Sequence, residues 1–462
     1  MLTQKNKIII VDDQEDELYR LGKAFLNIGV GCKTILYDMG YVGDPYEYVR
    51  IAFFDINLTL AKELLSTDDI DDILKNHSQV FNDLVNAINQ YISLENGPYA
   101  LIFWTKNEIL VEAFVKYVRD RDIKIANPIL ISTFDKTRFT ESNLEGLINE
   151  VSRLLSSEER IKFLFDIEEA GRKAGENTLN RLYDILPKDT VFGKSEIFMK
   201  NLDLILSKIA MSTLGYEHSK ENPKKAIYEG LLPIISYEFL NRESIIDYES
   251  IVESLKKSTK FKDVVFSDNK VISKLNSLYH IEYDTSINKD VRGCVFEVDK
   301  SNKDFLSSLG IDDIKSWINS LIPIKDSIKN KSGNIDSKTL RGDEILNSTK
   351  LIAVELSASC DFSNKKPRIN KYILGIITLG IDDIEKELNL KGRSESSYHL
   401  GGCSFDYNED IAQIWLNLNY VFGFKSDNAN FGETLFTLKK EIMDMLGNKY
   451  ASHISRIGIT SI

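Results

Sequence analysis

The sequence predicts an α/β doubly wound parallel sheet at the N-terminus, a helical middle region and a β-rich α+β C-terminal module. Three observations carry that reading. Short β-branched apolar runs alternate with amphipathic stretches up to residue 140, the alternation that builds parallel sheets. Helical periodicity then dominates to residue 260, and short strand-like runs return afterwards. At 462 residues the chain is too long for one ordinary core, so units at 1–140, 141–260 and 261–462 are expected.

Ile8-Ile9-Ile10-Val11 is a run short enough for a strand buried on both faces, and it ends abruptly in Asp12 and Asp13. A helix follows, with Leu18, Leu21 and Phe25 at helical spacing and acids crowding its first turn, where the helix dipole favours them. A second strand is expected near Cys32–Tyr37. The third, Val49–Phe54, ends in Asp55; the fourth, Tyr99–Trp104, ends in Thr105; the last, Pro128–Ser132, precedes Lys136. Helices are expected at 70–74, 80–92 and 109–118.

In such a sheet the carboxyl ends of the strands share one edge, where ligands bind. That edge therefore collects Asp12, Asp13, Asp55, Thr105 and Lys136. Adjacent carboxylates repel unless a cation sits between them. Oxygen ligands suit Mg²⁺. A carboxylate can accept a phosphoryl group as an acyl phosphate, and a hydroxyl and an ammonium can hold the phosphoryl oxygens.

Those residues, in Val11-Asp12-Asp13, Phe54-Asp55-Ile56-Asn57-Leu58, Trp104-Thr105-Lys106 and Asp135-Lys136, resemble the response-regulator receiver domain of two-component signalling. The resemblance covers residues 7–140 and implies a flavodoxin-like fold. It implies Asp55 as phosphoacceptor; Asp12, Asp13, Asp55 and the Asn57 backbone carbonyl as Mg²⁺ ligands; and Thr105 and Lys136 as the switch hydroxyl and phosphate-pairing amine. It implies a sensor histidine kinase as phosphodonor. The chain departs from the family at Thr59 and Thr137, where prolines are usual, and at Thr133, where the switch aromatic stands, with Phe134 beside it. The 50-residue interval from Asp55 to Thr105 is longer than the family's usual one. These departures resemble the divergent receivers of bacterial conflict and anti-phage operons, including the Detocs type. That likeness implies a role as regulator or as phosphate buffer beside a second receiver-effector protein. A silent receiver serving as an interaction scaffold is the alternative.

The net charge of −12 argues against nonspecific nucleic-acid or anionic-membrane binding, and no run of about 18 apolar residues suggests a membrane span. The N-terminus leaves no room for a signal peptide, so a cytoplasmic protein with reduced cysteines is expected. The middle region reads as a bundle with its own core, or as a helix pair that relays a signal or forms a homodimer. Apolar stripes there include Ile161–Ile167, Leu179–Leu186, Leu202–Met211, Ile227–Leu240 and Ile245–Leu255.

In the last module, strands are expected at 264–266, 293–298, 351–356 and 372–377, with helices at 311–321 and 431–446 and a polar loop at 327–337. Cys294, Cys360, His399 and Cys403 supply four N/S ligands of the kind Zn²⁺ takes, although no Cys-x-x-Cys pair is present. Cys360 with His399 as base and Asp361 nearby is the nucleophilic, hydrolase-like alternative. Buried core cysteines are the plainer reading.

Overall fold

A computed structural model describes residues 7–58, 69–139, 143–260, 266, 268–322, 347–357, 369–380 and 394–455. The chain divides into two compact units. One runs through Leu179 and includes Tyr237–Lys257; the other comprises Asn180–Ser236 and the chain from Ser258 on. One boundary, between Lys257 and Ser258, lies near the compositional shift at 260, and the other two, after Leu179 and after Ser236, fall inside helices.

In the first unit the elements alternate: β1 (Ile8–Asp12), α1 (Glu15–Asn27), β2 (Lys33–Leu36), β3 (Ile51–Phe54), α2 (Ile70–Asn76), α3 (Ser78–Tyr91), β4 (Ala100–Trp104), α4 (Glu108–Asp120), β5 (Leu130–Phe134), α5 (Leu144–Leu155) and the 27-residue α6 (Glu159–Ile185). The strands form an all-parallel sheet in the order β2-β1-β3-β4-β5. This is the flavodoxin-like order, with its switch point between β1 and β3.

The two-residue period of a strand, with helices on both faces, explains why the three central strands β1, β3 and β4 are buried along their whole length, while the edge strands β2 and β5 are not. Ile9, Val11, Phe54 and Phe103 face α3 and α4, against Phe81, Leu84 and Phe114. Ile8, Ile10, Phe53 and Trp104 face α1 and α5, against Leu21, Phe25 and Leu147. Glu168 of α6 accepts from Arg50 (2.5 and 2.8 Å) and Lys7 (2.6 Å), which precede β3 and β1. That pairing fastens α6 to the sheet edge opposite the acids.

β5 starts two residues later than the sequence suggested: Pro128 has no N–H to give a ladder, and Ile129, though it donates its N–H to the Tyr99 carbonyl at 2.9 Å, precedes the first paired residue, Leu130. The two stripes at 161–167 and 179–186 belong to one helix, α6, whose interior Gly171 and Gly175 interrupt the apolar pattern without breaking the backbone.

The helices α7 (Glu196–Leu214), α8 (Tyr216–Glu221) and α9 (Pro223–Leu240) follow. The single helix expected at 245–255 is two short ones, α10 (Tyr248–Ile251) and α11 (Glu253–Lys257).

The second unit continues through α12 (Asn269–His280), β6 (Ile281–Glu282), β7 (Cys294–Val298), α13 (Lys303–Ser308), α14 (Ile314–Leu321), β8 (Thr349–Glu355), β9 (Asn370–Leu379), β10 (Ser397–His399), β11 (Phe405–Tyr407), β12 (Asp410–Phe424), β13 (Phe431–Leu438) and α15 (Lys440–Ile454). Its sheet runs β10-β12-β9-β8-β7-β13-β6, with β11 on β12, and every pairing is antiparallel.

One face packs Phe296, Tyr372 and Trp415 against Phe305 of α13 and Trp317 of α14; the other packs Ile352, Ile373 and Leu416 against Ile442 and Leu446 of α15. The helix expected over 431–446 is corrected here: Phe431–Leu438 is a strand and the helix begins at Lys440. Alternating Thr434, Phe436 and Leu438 with β-forming neighbours satisfies the strand period, which the apolar spacing had obscured. The expected strand at 264–266 and loop at 327–337 fall outside the described residues, apart from Phe266, which lies in no strand. Among the described residues no helix is long and apolar enough to cross a membrane.

Candidate functional site

The site is assembled by backbone register. β1 pairs with β3 from Ile8 to Val11, and the Asp55 N–H donates to the Val11 carbonyl at 3.1 Å. One extra ladder bond thus sets Asp55 beside Asp12, at the topological switch point. Asp12 and Asp55 are almost completely buried, at 1% and 3% exposure, and Asp13 is partly so. Ligand oxygens of all three lie within 4.8 Å of one another, and no other such trio of His, Cys, Asp or Glu occurs among the described residues.

The carboxylates are not equally satisfied. Asp12 Oδ1 accepts the Gln14 N–H at 2.9 Å, but Asp12 Oδ2 and Asp13 Oδ1 are buried with no hydrogen-bond partner. Asp55 uses both oxygens: Oδ1 accepts the Asn57 N–H at 3.1 Å, and Oδ2 accepts from Lys136 Nζ at 2.9 Å. Burial first, and the Asp55 charge second, push the Asp12 carboxyl up to about 7. Burial alone would lower the Lys136 ammonium, but the charge and hydrogen bond of Asp55 outweigh it and hold it above the ordinary lysine value.

Lys136 is delivered by a single 3₁₀ turn, Lys136–Arg138, directly after β5. Asp135 caps that turn, accepting from the Thr137 N–H at 2.9 Å and the Thr137 hydroxyl at 2.7 Å. Thr137 therefore builds the turn by hydrogen bonding. Thr105 follows β4, donates its N–H to the Phe134 carbonyl at 3.0 Å, and accepts the Asn107 N–H on Oγ1 at 3.2 Å. Its own O–H is left to donate toward a ligand.

The two orphaned buried oxygens and the all-oxygen donor set fit a hard divalent cation, which Asp12, Asp13 and Asp55 would hold. Asn57 sits in the turn just beyond Asp55; Thr59 is outside the described residues.

Sequence reasoning missed Glu17. Its carboxylate accepts the Trp104 indole N–H at 3.0 Å, pairs with Arg20, and adds negative charge near Lys136. The acid-rich first turn of α1 was the available signal, and it had been credited to the helix dipole alone. Phe134, beside the expected aromatic position, points into the core, with ring centroids 6.4 Å from Phe53 and 6.0 Å from Phe139.

The structure does not bring together the described members of the cysteine–histidine set. Cys294 belongs to the sheet face covered by α13 and α14, and Cys403 packs on the opposite face. His399 lies flat on Trp415, with centroids 4.2 Å apart. It is on β10, four strand steps from β7 and Cys294, which is roughly 19 Å at ~4.8 Å per strand. Burial pushes both thiols up to about 11. Cys360 and Asp361 lie outside the described residues, as does any contact they make with His399.

Comparisons with family models, with curated proteins and with solved structures find no match to this chain.

Proposed function

We propose that the first unit is a phosphoacceptor receiver, in which Asp55 takes a phosphoryl group from a partner sensor histidine kinase. The observation that carries the reading is the convergence at one strand edge of a buried acidic trio and a lysine already bonded to one member of it. Asp55 is the acceptor because it alone of the three carboxylates contacts the ammonium that would pair the incoming phosphoryl oxygens. An Asp55 carboxylate oxygen attacks phosphorus as the donor's nitrogen–phosphorus bond breaks, and the product is an acyl phosphate. Asp12, Asp13, Asp55 and the Asn57 carbonyl would hold a Mg²⁺ ion, which would supply charge neutralisation when bound. Lys136 then exchanges its carboxylate contact for a phosphoryl oxygen, and the Thr105 hydroxyl donates to another.

The added charge and acceptor oxygens repack the β4–β5 edge, where Thr105 and Lys136 sit. The reading extends to a divergent receiver of a bacterial antiviral phosphorelay, acting as regulator or phosphate buffer. Incubation with a radiolabelled small phosphodonor such as acetyl phosphate tests it. Wild type takes up label and Asp55→Asn does not; equal labelling of the two would sink the assignment.

A further inference from the structure

Backbone register places the acids and Thr105, but it does not reach Lys136. The β4–β5 ladder ends at the pair Trp104 and Phe134, and the Thr105 N–H donates to the Phe134 carbonyl just beyond it. Lys136 lies further on, in the 3₁₀ turn Lys136–Arg138, and among the described residues no backbone hydrogen bond ties that turn to β4. The position of its ammonium, 2.9 Å from Asp55 Oδ2, therefore depends on side-chain packing around the turn.

One indole supplies that packing. Trp104 is almost completely buried and stacks on Phe139, the residue that follows the turn, with ring centroids 5.8 Å apart and planes 24° from parallel. A buried indole N–H needs an acceptor, and that acceptor fixes the ring's orientation. Here it is Glu17 of α1, at 3.0 Å. Arg20, one turn along α1, pairs with Glu17 and lies 5.8 Å from the indole centroid. α1 itself begins at Glu15, just after the acid pair. Glu17, Trp104 and Phe139 thus join the helix that follows Asp12 and Asp13, the strand that precedes Thr105 and the turn that carries Lys136. The Glu17 charge acts on Lys136 less than those of Asp55 and Asp12 do, so what Glu17 supplies is position rather than charge.

We propose that Glu17 is a positioning residue for phosphoryl transfer: by holding the Trp104 indole against Phe139, it fixes Lys136 within reach of Asp55 and of the incoming phosphoryl oxygens. The role presupposes the receiver reading of the first unit. It divides the site in two. Acids set by sheet register hold the cation, and the Glu17–Trp104–Phe139 contacts serve the lysine. A lysine displaced by about 1 Å slows transfer while cation binding is untouched.

Single-turnover labelling of the full chain by acetyl phosphate, alongside Mg²⁺ affinity by titration calorimetry, gives the test. Glu17→Leu leaves the indole N–H without an acceptor and lowers the labelling rate about tenfold, with Mg²⁺ affinity within about twofold of wild type. Glu17→Gln keeps an acceptor and stays within about threefold of the wild-type rate. Trp104→Phe keeps a ring on Phe139, loses the N–H, and behaves as Glu17→Leu does. Combined with Lys136→Ala, Glu17→Leu causes no loss beyond that of Lys136→Ala alone, because it acts through the lysine. Should Trp104→Phe fail to fold, the Glu17 variants decide alone. A Glu17→Leu rate equal to wild type overturns the role. So does an undiminished further loss in the Lys136→Ala background, or a fall in Mg²⁺ affinity as large as the fall in rate. If wild type binds Mg²⁺ and takes up no label, the receiver reading falls and this role with it.

Discussion

The parallel sheet of the first unit and the antiparallel sheet of the second are each covered by helices on both faces, and their central strands are equally dry. They differ in what happens to a buried acid. In the second unit Glu355, at the end of β8, is fully buried and accepts both the N–H (3.0 Å) and the hydroxyl of Ser357. In the first, Asp12 is as deeply buried, but one of its oxygens has no partner and a second carboxylate lies beside it. A satisfied acid can serve the fold. An unsatisfied one weakens it, and its presence marks the place where a ligand, rather than the chain, completes the hydrogen bonding.

The difference can be broken from either side. The largest effect is expected in the second unit, where Trp415→Ala removes a fully buried ring stacked on His399. It should cost about 3–5 kcal/mol in denaturant unfolding, with no change in phosphoryl uptake by the first unit. In the first unit Lys136→Ala should lower the rate of phosphoryl uptake about 10²- to 10³-fold, read by single-turnover labelling. It removes the one cation among these residues that contacts Asp55.

Smaller, and opposite in sign to an ordinary core substitution, is Asp12→Asn. The folded-state value for Asp12 is about 7 against 3.8 unfolded, so the folded chain holds a proton that the unfolded chain has lost. That contribution is fully present below the unfolded value and disappears as pH rises through about 7. Metal-free protein should therefore be less stable near pH 8 than near pH 6 on this account. Asp12→Asn should regain about 1–3 kcal/mol at the higher pH and little near pH 4. Added divalent cation should stabilise wild type more near pH 8 than near pH 6, and the variant less at both. Smallest of all, a strong chelator should shift unfolding of the second unit by less than about 0.5 kcal/mol, since its cysteines Cys294 and Cys403 lie on opposite sheet faces.

Legibility in the sequence followed the same contrast. The first unit was readable because its central strands β1, β3 and β4 are short apolar runs that stop at a polar residue. Asp12, Asp55 and Thr105 are those stops, Lys136 lies in the turn just after β5, and strand order carries all four to one edge. What the sequence hid there was lateral: Glu17 reaches Trp104 across 87 positions, and no periodicity encodes that contact. The second unit was less readable because several of its strands are long and only partly apolar. β12 spans 15 residues, and its wet end, from Asn419 on, dilutes the apolar signal, so it was not anticipated. β13 and α15 adjoin, and their apolar residues merged into one apparent helix. His399 and Cys403 looked like neighbouring ligands at a spacing of four. The turn between them, with Gly401 and Gly402 both at positive φ, sends Cys403 to the far face.

The most direct measurement is to trap the acyl phosphate chemically after reaction with a small phosphodonor and Mg²⁺, and to map the modified residue by peptide mass spectrometry. The account predicts modification at Asp55, lost when Mg²⁺ is chelated. Modification at Asp12, at Asp13 or outside the first unit, or none at all in protein shown to bind the cation, would contradict it.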